Sequence, residues 1–96
     1  MIKHIVMWKL KPENKIENAK EIKKRLEGLQ AIITDVKLIE VGININELDG
    51  AYDIVLYSEF ADIKKLNNYQ NNPKHLEVVK FIKQVTETRI FVDYLT

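Results

Sequence analysis

Residues 2–10, IKHIVMWKL, decide the fold that we predict for this chain. The stretch is short, apolar and rich in β-branched and aromatic residues, which favours a β-strand. Its even-numbered positions are apolar except for His4, so the histidine side chain is predicted to point into the core. Because an unpartnered polar group in a core costs roughly 1–3 kcal/mol, we expect His4 to have a partner or to line a cavity.

The rest of the chain alternates between helical and strand-like patterns. Apolar residues spaced three and four apart predict helices, and alternating apolar residues predict strands. In chain order we predict a helix over about residues 14–30, strands over 35–43 and 51–60, a short helix capped by Asp62, a helix from Pro73 to about Glu87, and a strand over 89–95. Asn72 is predicted to cap the helix that Pro73 begins. This order indicates an α+β fold, a four-stranded antiparallel sheet with the helices on one face.

Composition limits the classes of protein and of site. Ninety-six residues predict a single domain over residues 1–96, and the net charge of +1 predicts neither a nucleic-acid nor a membrane partner. The absence of cysteine excludes thiolate metal sites, and two distant histidines make a poor metal site, so no metal and no cofactor are predicted. No stretch approaches the roughly 20 apolar residues of a membrane span, and we expect a cytoplasmic protein.

Both faces of the predicted sheet carry apolar residues, although helices would cover only one. Ile5 and Met7 lie on the outer face of the first strand, and Val55 and Tyr57 lie on that face of the third strand. A contiguous apolar patch of this size is unusual on a monomer. We therefore predict a two-fold homodimer that packs sheet against sheet. The alternative is that these are scattered surface residues.

His75 lies near the centre of the apolar stripe of the last helix. At about 100° per residue, Val79 and Ile82 fall within about 40° of it, and with Trp8 they are predicted to contact a ligand. His75 also lies in the first turn, where the positive end of the helix dipole disfavours an imidazolium. Burial acts in the same direction, so we predict a neutral imidazole that can serve as a general base.

Two further side chains are candidates for the same site. Tyr69 precedes His75 by six residues, across the break at Pro73, and is predicted to flank the pocket mouth and polarise a carbonyl group. Asp93, an acid on an apolar strand, is predicted to accept the other N–H of His75 and fix one tautomer. Plainer explanations are a hydrogen-bonded core histidine, a Tyr69 packed with its hydroxyl in water, and an Asp93 paired with Arg89.

Three stretches resemble the stress-responsive A/B barrel (Dabb) family, and the similarity spans essentially the whole chain. They are residues 3–10 (KHIVMWKL), 69–75 (YQNNPKH) and 92–94 (VDY). The central family pattern is Tyr-x-x-His-Pro-x-His, and Asn72 stands at its first histidine. The resemblance implies a ferredoxin-like βαββαβ fold and a homodimer whose two sheets form a barrel.

The resemblance also implies roles for named residues. Relatives include stress proteins without assigned chemistry and a polyketide cyclase that performs a cofactor-free aldol reaction. By that similarity His75 is the catalytic histidine, Asp93 supports it, and Tyr69 and His4 are pocket residues, whereas a pocket tyrosine of the first helix has no counterpart near Leu26. We therefore predict a pocket for a small apolar carbonyl-bearing ligand, with acid/base chemistry by His75. The alternatives are a non-catalytic structural homodimer and a cofactor-independent monooxygenase-like enzyme.

Overall fold

The alternation along residues 2–10 produces a central strand with one buried and one partly exposed face. The computed structural model describes all of residues 1–96. Its strands are β1 (Ile2–Leu10), β2 (Val36–Ile43), β3 (Ile54–Phe60) and β4 (Thr86–Leu95). Its helices are α1 (Lys15–Gly28), α2 (Ile63–Asn71) and α3 (Pro73–Val85), and a 3₁₀ turn covers Leu29–Ala31. None of the helices combines the length and apolarity needed to cross a lipid bilayer.

The four strands form one sheet in the order β2-β3-β1-β4, and every neighbouring pair is antiparallel. This confirms the predicted α+β fold. In the ladder His4 lies opposite Ser58 on β3 and opposite Asp93 on β4. Because residues directly opposite in an antiparallel pair share a face, these three side chains lie on the same side of the sheet.

The hydrophobic core lies between the sheet and the helices. From β1 it receives Ile2, Val6, Trp8 and Leu10, all buried together with His4. The buried stripe of α1 consists of Ala19, Ile22 and Leu26. Ile16, three residues before Ala19, has the spacing of that stripe but is 69% exposed, since it lies in the first turn of α1 before the buried part of the helix begins.

Polar caps fix the chain between α2 and α3. The Asp62 carboxylate accepts the Lys65 backbone N–H at 2.9 Å and begins α2, as predicted. The Asn72 side chain accepts the Lys74 N–H at 2.9 Å, and Pro73 is the first residue of α3. Proline at that position sacrifices no intrahelical hydrogen bond, so the second helix starts immediately after the first ends.

The last helix ends earlier than its apolar pattern predicted. We expected α3 to run to about Glu87 and the strand to start at Arg89, but the helix ends at Val85 and β4 starts at Thr86. Thr86 already has extended backbone angles and pairs with Leu10 in the ladder. Its β-branched side chain suits a strand better than a helix. β3 likewise starts at Ile54 rather than at residue 51.

The side of the sheet away from the helices has no covering layer. Its apolar residues, which we call the back face, are Ile5, Met7, Val55, Tyr57, Ile90, Val92 and Tyr94. Those on β4 are between 41% and 51% exposed. β4 is an edge strand, and its helix-side residue Phe91 is also 60% exposed.

Candidate functional site

A cleft of about 550 Å³ lies between β1, α3 and the start of β4, and both histidines line it. Its apolar lining includes Trp8, Val79 and Ile82, the three residues that the sequence indicated for ligand contact. The volume falls within the range of roughly 300–1,000 Å³ that is usual for small-molecule pockets.

The buried histidine of β1 is held by a carboxylate on the neighbouring strand. His4 is 3% exposed, and its Nδ1 atom forms a hydrogen bond with the Asp93 carboxylate. Because a carboxylate only accepts, Nδ1 carries the proton, and Nε2 is the nitrogen left free. The ladder brings this pair together, since the two residues lie directly opposite each other.

The predicted partnership of Asp93 with His75 is therefore wrong. Asp93 sits on β4 beside His4, and its carboxylate is engaged there. The alternative pairing of Asp93 with Arg89 does not form either, because the Arg89 guanidinium lies over the Phe91 ring at 4.6 Å from the ring centroid. Asp93 thus belongs to the site through the first-strand histidine.

His75 is oriented by the end of the preceding helix. Its Nδ1 atom lies 3.1 Å from the Gln70 carbonyl oxygen, which can only accept, so Nδ1 donates and Nε2 is left free. Burial lowers the pKa of His75, the Gln70 carbonyl partly opposes the shift, and the charge of Arg89 lowers the pKa further. His75 is therefore neutral at physiological pH and can accept a proton at Nε2.

Tyr69 lies behind His75 rather than at the cleft mouth, which corrects the predicted placement. Its side chain is completely buried, with its ring centroid 4.4 Å from that of His75 and 5.1 Å from that of Phe60. Burial raises the pKa of the Tyr69 hydroxyl, which has no hydrogen-bond partner among the protein atoms. The ring turns inward because α2 buries the face that carries Leu66 and Tyr69.

The lowered pKa of His75 has a measurable consequence for stability. The folded pKa lies below the unfolded value of about 6.5, so on acidification the unfolded chain takes up this proton first. The stability associated with neutral His75 is complete above about pH 6.5 and is lost as the pH falls toward the folded pKa. Urea unfolding at several pH values should show wild type losing stability relative to His75→Gln as the pH falls below about 6.5. If wild type instead gained stability relative to His75→Gln as the pH fell, the lowered pKa assigned to His75 would be wrong.

Several polar residues of the cleft were not selected from the sequence. They are Gln70, Lys83, Thr86, Glu87, Thr88 and Arg89. Lys83 lies one helical turn after Val79, and Arg89 lies opposite Trp8 in the ladder. The helical spacing was therefore a usable signal for Lys83, whereas finding Arg89 required the strand register.

Comparison with known proteins decides the family. The model of the stress responsive A/B barrel domain matches residues 2–96. The chain belongs to the Dabb family. No curated protein sequence matches this Dabb chain.

Solved structures agree with that membership and with the predicted ferredoxin-like fold. A dimeric protein with a ferredoxin-like fold from Bacteroides fragilis is 33% identical, with 99% of this chain and 95% of that chain covered and a TM-score of 0.91. A Dabb family protein from Mesorhizobium loti is 24% identical over 99% and 95% of the two chains, with a TM-score of 0.81. Hydroxynitrile lyase from Passiflora edulis is 19% identical over 99% and 92%, with a TM-score of 0.87. The two more distant similarities establish the fold alone.

Proposed function

We propose that this Dabb protein binds a small apolar carbonyl compound in the cleft and transfers protons to and from it without a cofactor. One observation carries the proposal: two histidines from distant parts of the chain line the same apolar cleft. Each uses Nδ1 for a hydrogen bond within the protein, which leaves each Nε2 for a ligand. A preorganised pair of imidazoles is well suited to general acid–base catalysis.

The two imidazoles have environments that favour different roles. His75 is kept neutral, so its Nε2 is the proposed base that removes a proton from the carbon beside the ligand carbonyl. The C–H bonding electrons then form the carbon–carbon double bond of the enol, the π electrons of the carbonyl move to its oxygen, and that oxygen takes a proton. His4 is the proposed donor to that oxygen: its Nδ1–H is held by the Asp93 carboxylate, and for this step its Nε2 must carry the proton that it gives.

In this proposal Asp93 and Tyr69 are positioning residues. Asp93 acts through His4, whose tautomer and ring orientation it fixes. Tyr69 acts through His75, against whose ring it packs. Trp8, Val79 and Ile82 supply the apolar surface that excludes water from the ligand chain.

The open cleft favours ligand binding over a purely structural role for the histidines. If these side chains only completed the core, we would expect surrounding side chains to fill the space beside them, since protein interiors are close-packed. Instead His75 borders a cleft of about 550 Å³.

We also propose that the protein is a homodimer that buries the back face. The Bacteroides fragilis relative, which is 33% identical, is a dimeric protein. The back face of this chain is apolar on three strands and uncovered in a single subunit. A second copy that packs sheet against sheet would remove this surface from water.

Binding of octan-2-one to wild type and His75→Ala tests the ligand proposal. We expect octan-2-one to raise the melting temperature of wild type in a saturable manner. His75→Ala should lose this stabilisation while its melting temperature without ligand changes little. Glu77→Ala, an exposed substitution on the same helix, is the matched control and should retain the effect. Equal stabilisation of wild type and His75→Ala would contradict the proposed site.

A further inference from the structure

The mouth of the cleft carries an excess of positive charge. Its charged lining residues are Lys83, Arg89 and Glu87, two cations and one anion, so the net charge there is +1. Neither cation forms an ion pair in the structure, whose ion pairs all involve other residues. A cleft lined mainly by apolar and neutral groups therefore carries two cations that form no ion pair and only one acid.

Arg89 is placed at this mouth by the strand register. It lies directly opposite Trp8 in the ladder, and both residues line the cleft. Its guanidinium stacks over the Phe91 ring, with the Cζ atom 4.6 Å from the ring centroid, which limits its freedom.

Neither acid of β4 near Arg89 is paired with it. Glu87, two residues before Arg89, lines the same cleft but forms no ion pair. Asp93, four residues after Arg89, has its carboxylate bonded to His4. Arg89 also lies close enough to His75 for its charge to lower the pKa of that imidazole. An anionic group bound at Arg89 would thus lie in the same cleft as the proposed base.

We infer that the ligand is an oxo acid, with its ketone carbonyl at the two histidines, an apolar chain along the cleft and a carboxylate at Arg89. This inference rests on the proposed function. A guanidinium offers paired donors that match the two oxygens of a carboxylate, whereas Lys83 contributes only a point charge. Apolar side chains line the same cleft and would contact the chain that connects the two polar ends.

Matched ligands separate the carboxylate from the ketone. The probes are octan-2-one and 7-oxooctanoate, which share a methyl ketone and differ by a terminal carboxylate, together with 5-oxohexanoate and 9-oxodecanoate to vary the chain length. By calorimetry, the best oxo acid of the series should bind wild type on the order of tenfold more tightly than the methyl ketone of equal length. This difference in affinity should decrease at high salt, because salt screens the attraction between exposed charges at the mouth of the cleft.

Substitutions identify which cation is responsible for the higher affinity for the oxo acid. Arg89→Gln should abolish the preference for the oxo acid over octan-2-one, and Arg89→Lys should retain part of that preference. Arg25→Gln is the matched control, because Arg25 also stacks on a ring, that of Phe81, but lies outside the cleft and pairs with Glu21. The control should keep the full preference.

Two results would overturn the inference, and they are distinguishable from a failure of the proposed function. The first is that methyl ketones bind but no oxo acid binds more tightly than the matching ketone. The second is that Lys83→Gln, and not Arg89→Gln, removes the higher affinity for the oxo acid. In either case the carboxylate does not bind Arg89, and the proposed pocket stands. If neither ketones nor oxo acids bind, the proposed function fails, and this inference fails with it.

Discussion

Replacing Asp93 with alanine is expected to destabilise the protein by roughly 2–3 kcal/mol. The carboxylate is the hydrogen-bond partner of a histidine whose side chain is 3% exposed. Its removal leaves the His4 Nδ1–H buried without an acceptor, and a desolvated polar group without a partner is costly. Because Asp93 is itself one-third exposed, the lost attraction is smaller than for a fully buried pair.

Urea unfolding at a fixed protein concentration measures this effect. Asp93→Asn keeps an oxygen acceptor and should lose less stability than the alanine variant. Asp35→Ala is the control, because the Asp35 carboxylate only accepts an exposed hydrogen bond from Asn68. If Asp93→Ala lost no more stability than Asp35→Ala, the hydrogen bond between Asp93 and His4 would not stabilise the protein in solution.

Replacing Val92 with lysine is expected to convert the proposed dimer into a monomer. Val92 lies on the back face opposite Ile5, and a lysine there would place an unpaired charge in the interface once for each subunit. Burying such a charge costs on the order of several kcal/mol, which is enough to shift the dimer dissociation constant by more than a hundredfold.

Light scattering at micromolar concentration is the measurement for this prediction. Phe91→Lys is the matched control, since Phe91 is the adjacent residue on β4 but faces the helix side and is 60% exposed. Wild type and Phe91→Lys should be dimers. Val92→Lys should be a monomer with the same circular dichroism spectrum as wild type, which shows that it is still folded. A monomeric wild type, or a dimer disrupted only by Phe91→Lys, would contradict an interface on the back face.

The fold was largely predictable because its signals are local. Alternation placed His4 on the buried face of β1, and the cap residues Asp62 and Asn72 marked the starts of α2 and α3. The end of α3 was less predictable, because residues 86–88 continue a plausible helical pattern and only pairing with β1 draws Thr86 into a strand.

The composition of the site was more predictable than its internal contacts. Both histidines could be placed on inward faces from periodicity alone, and both line the cleft. The partner of Asp93 depends on the register between β1 and β4, which face patterns do not specify, since a shift of two residues keeps every side chain on its face. The direction of Tyr69 depends on how α2 packs, and this contact is tertiary.

The central claim, that His4 and His75 face one ligand, can be tested directly because the chain contains only these two histidines. Imidazole nitrogen and carbon-bound proton resonances should be followed by NMR during a titration with octan-2-one. We predict that both rings shift with the same saturation curve and that both show magnetisation transfer to the ligand chain. Bound ketone that perturbs only one imidazole, or neither, would contradict a shared site.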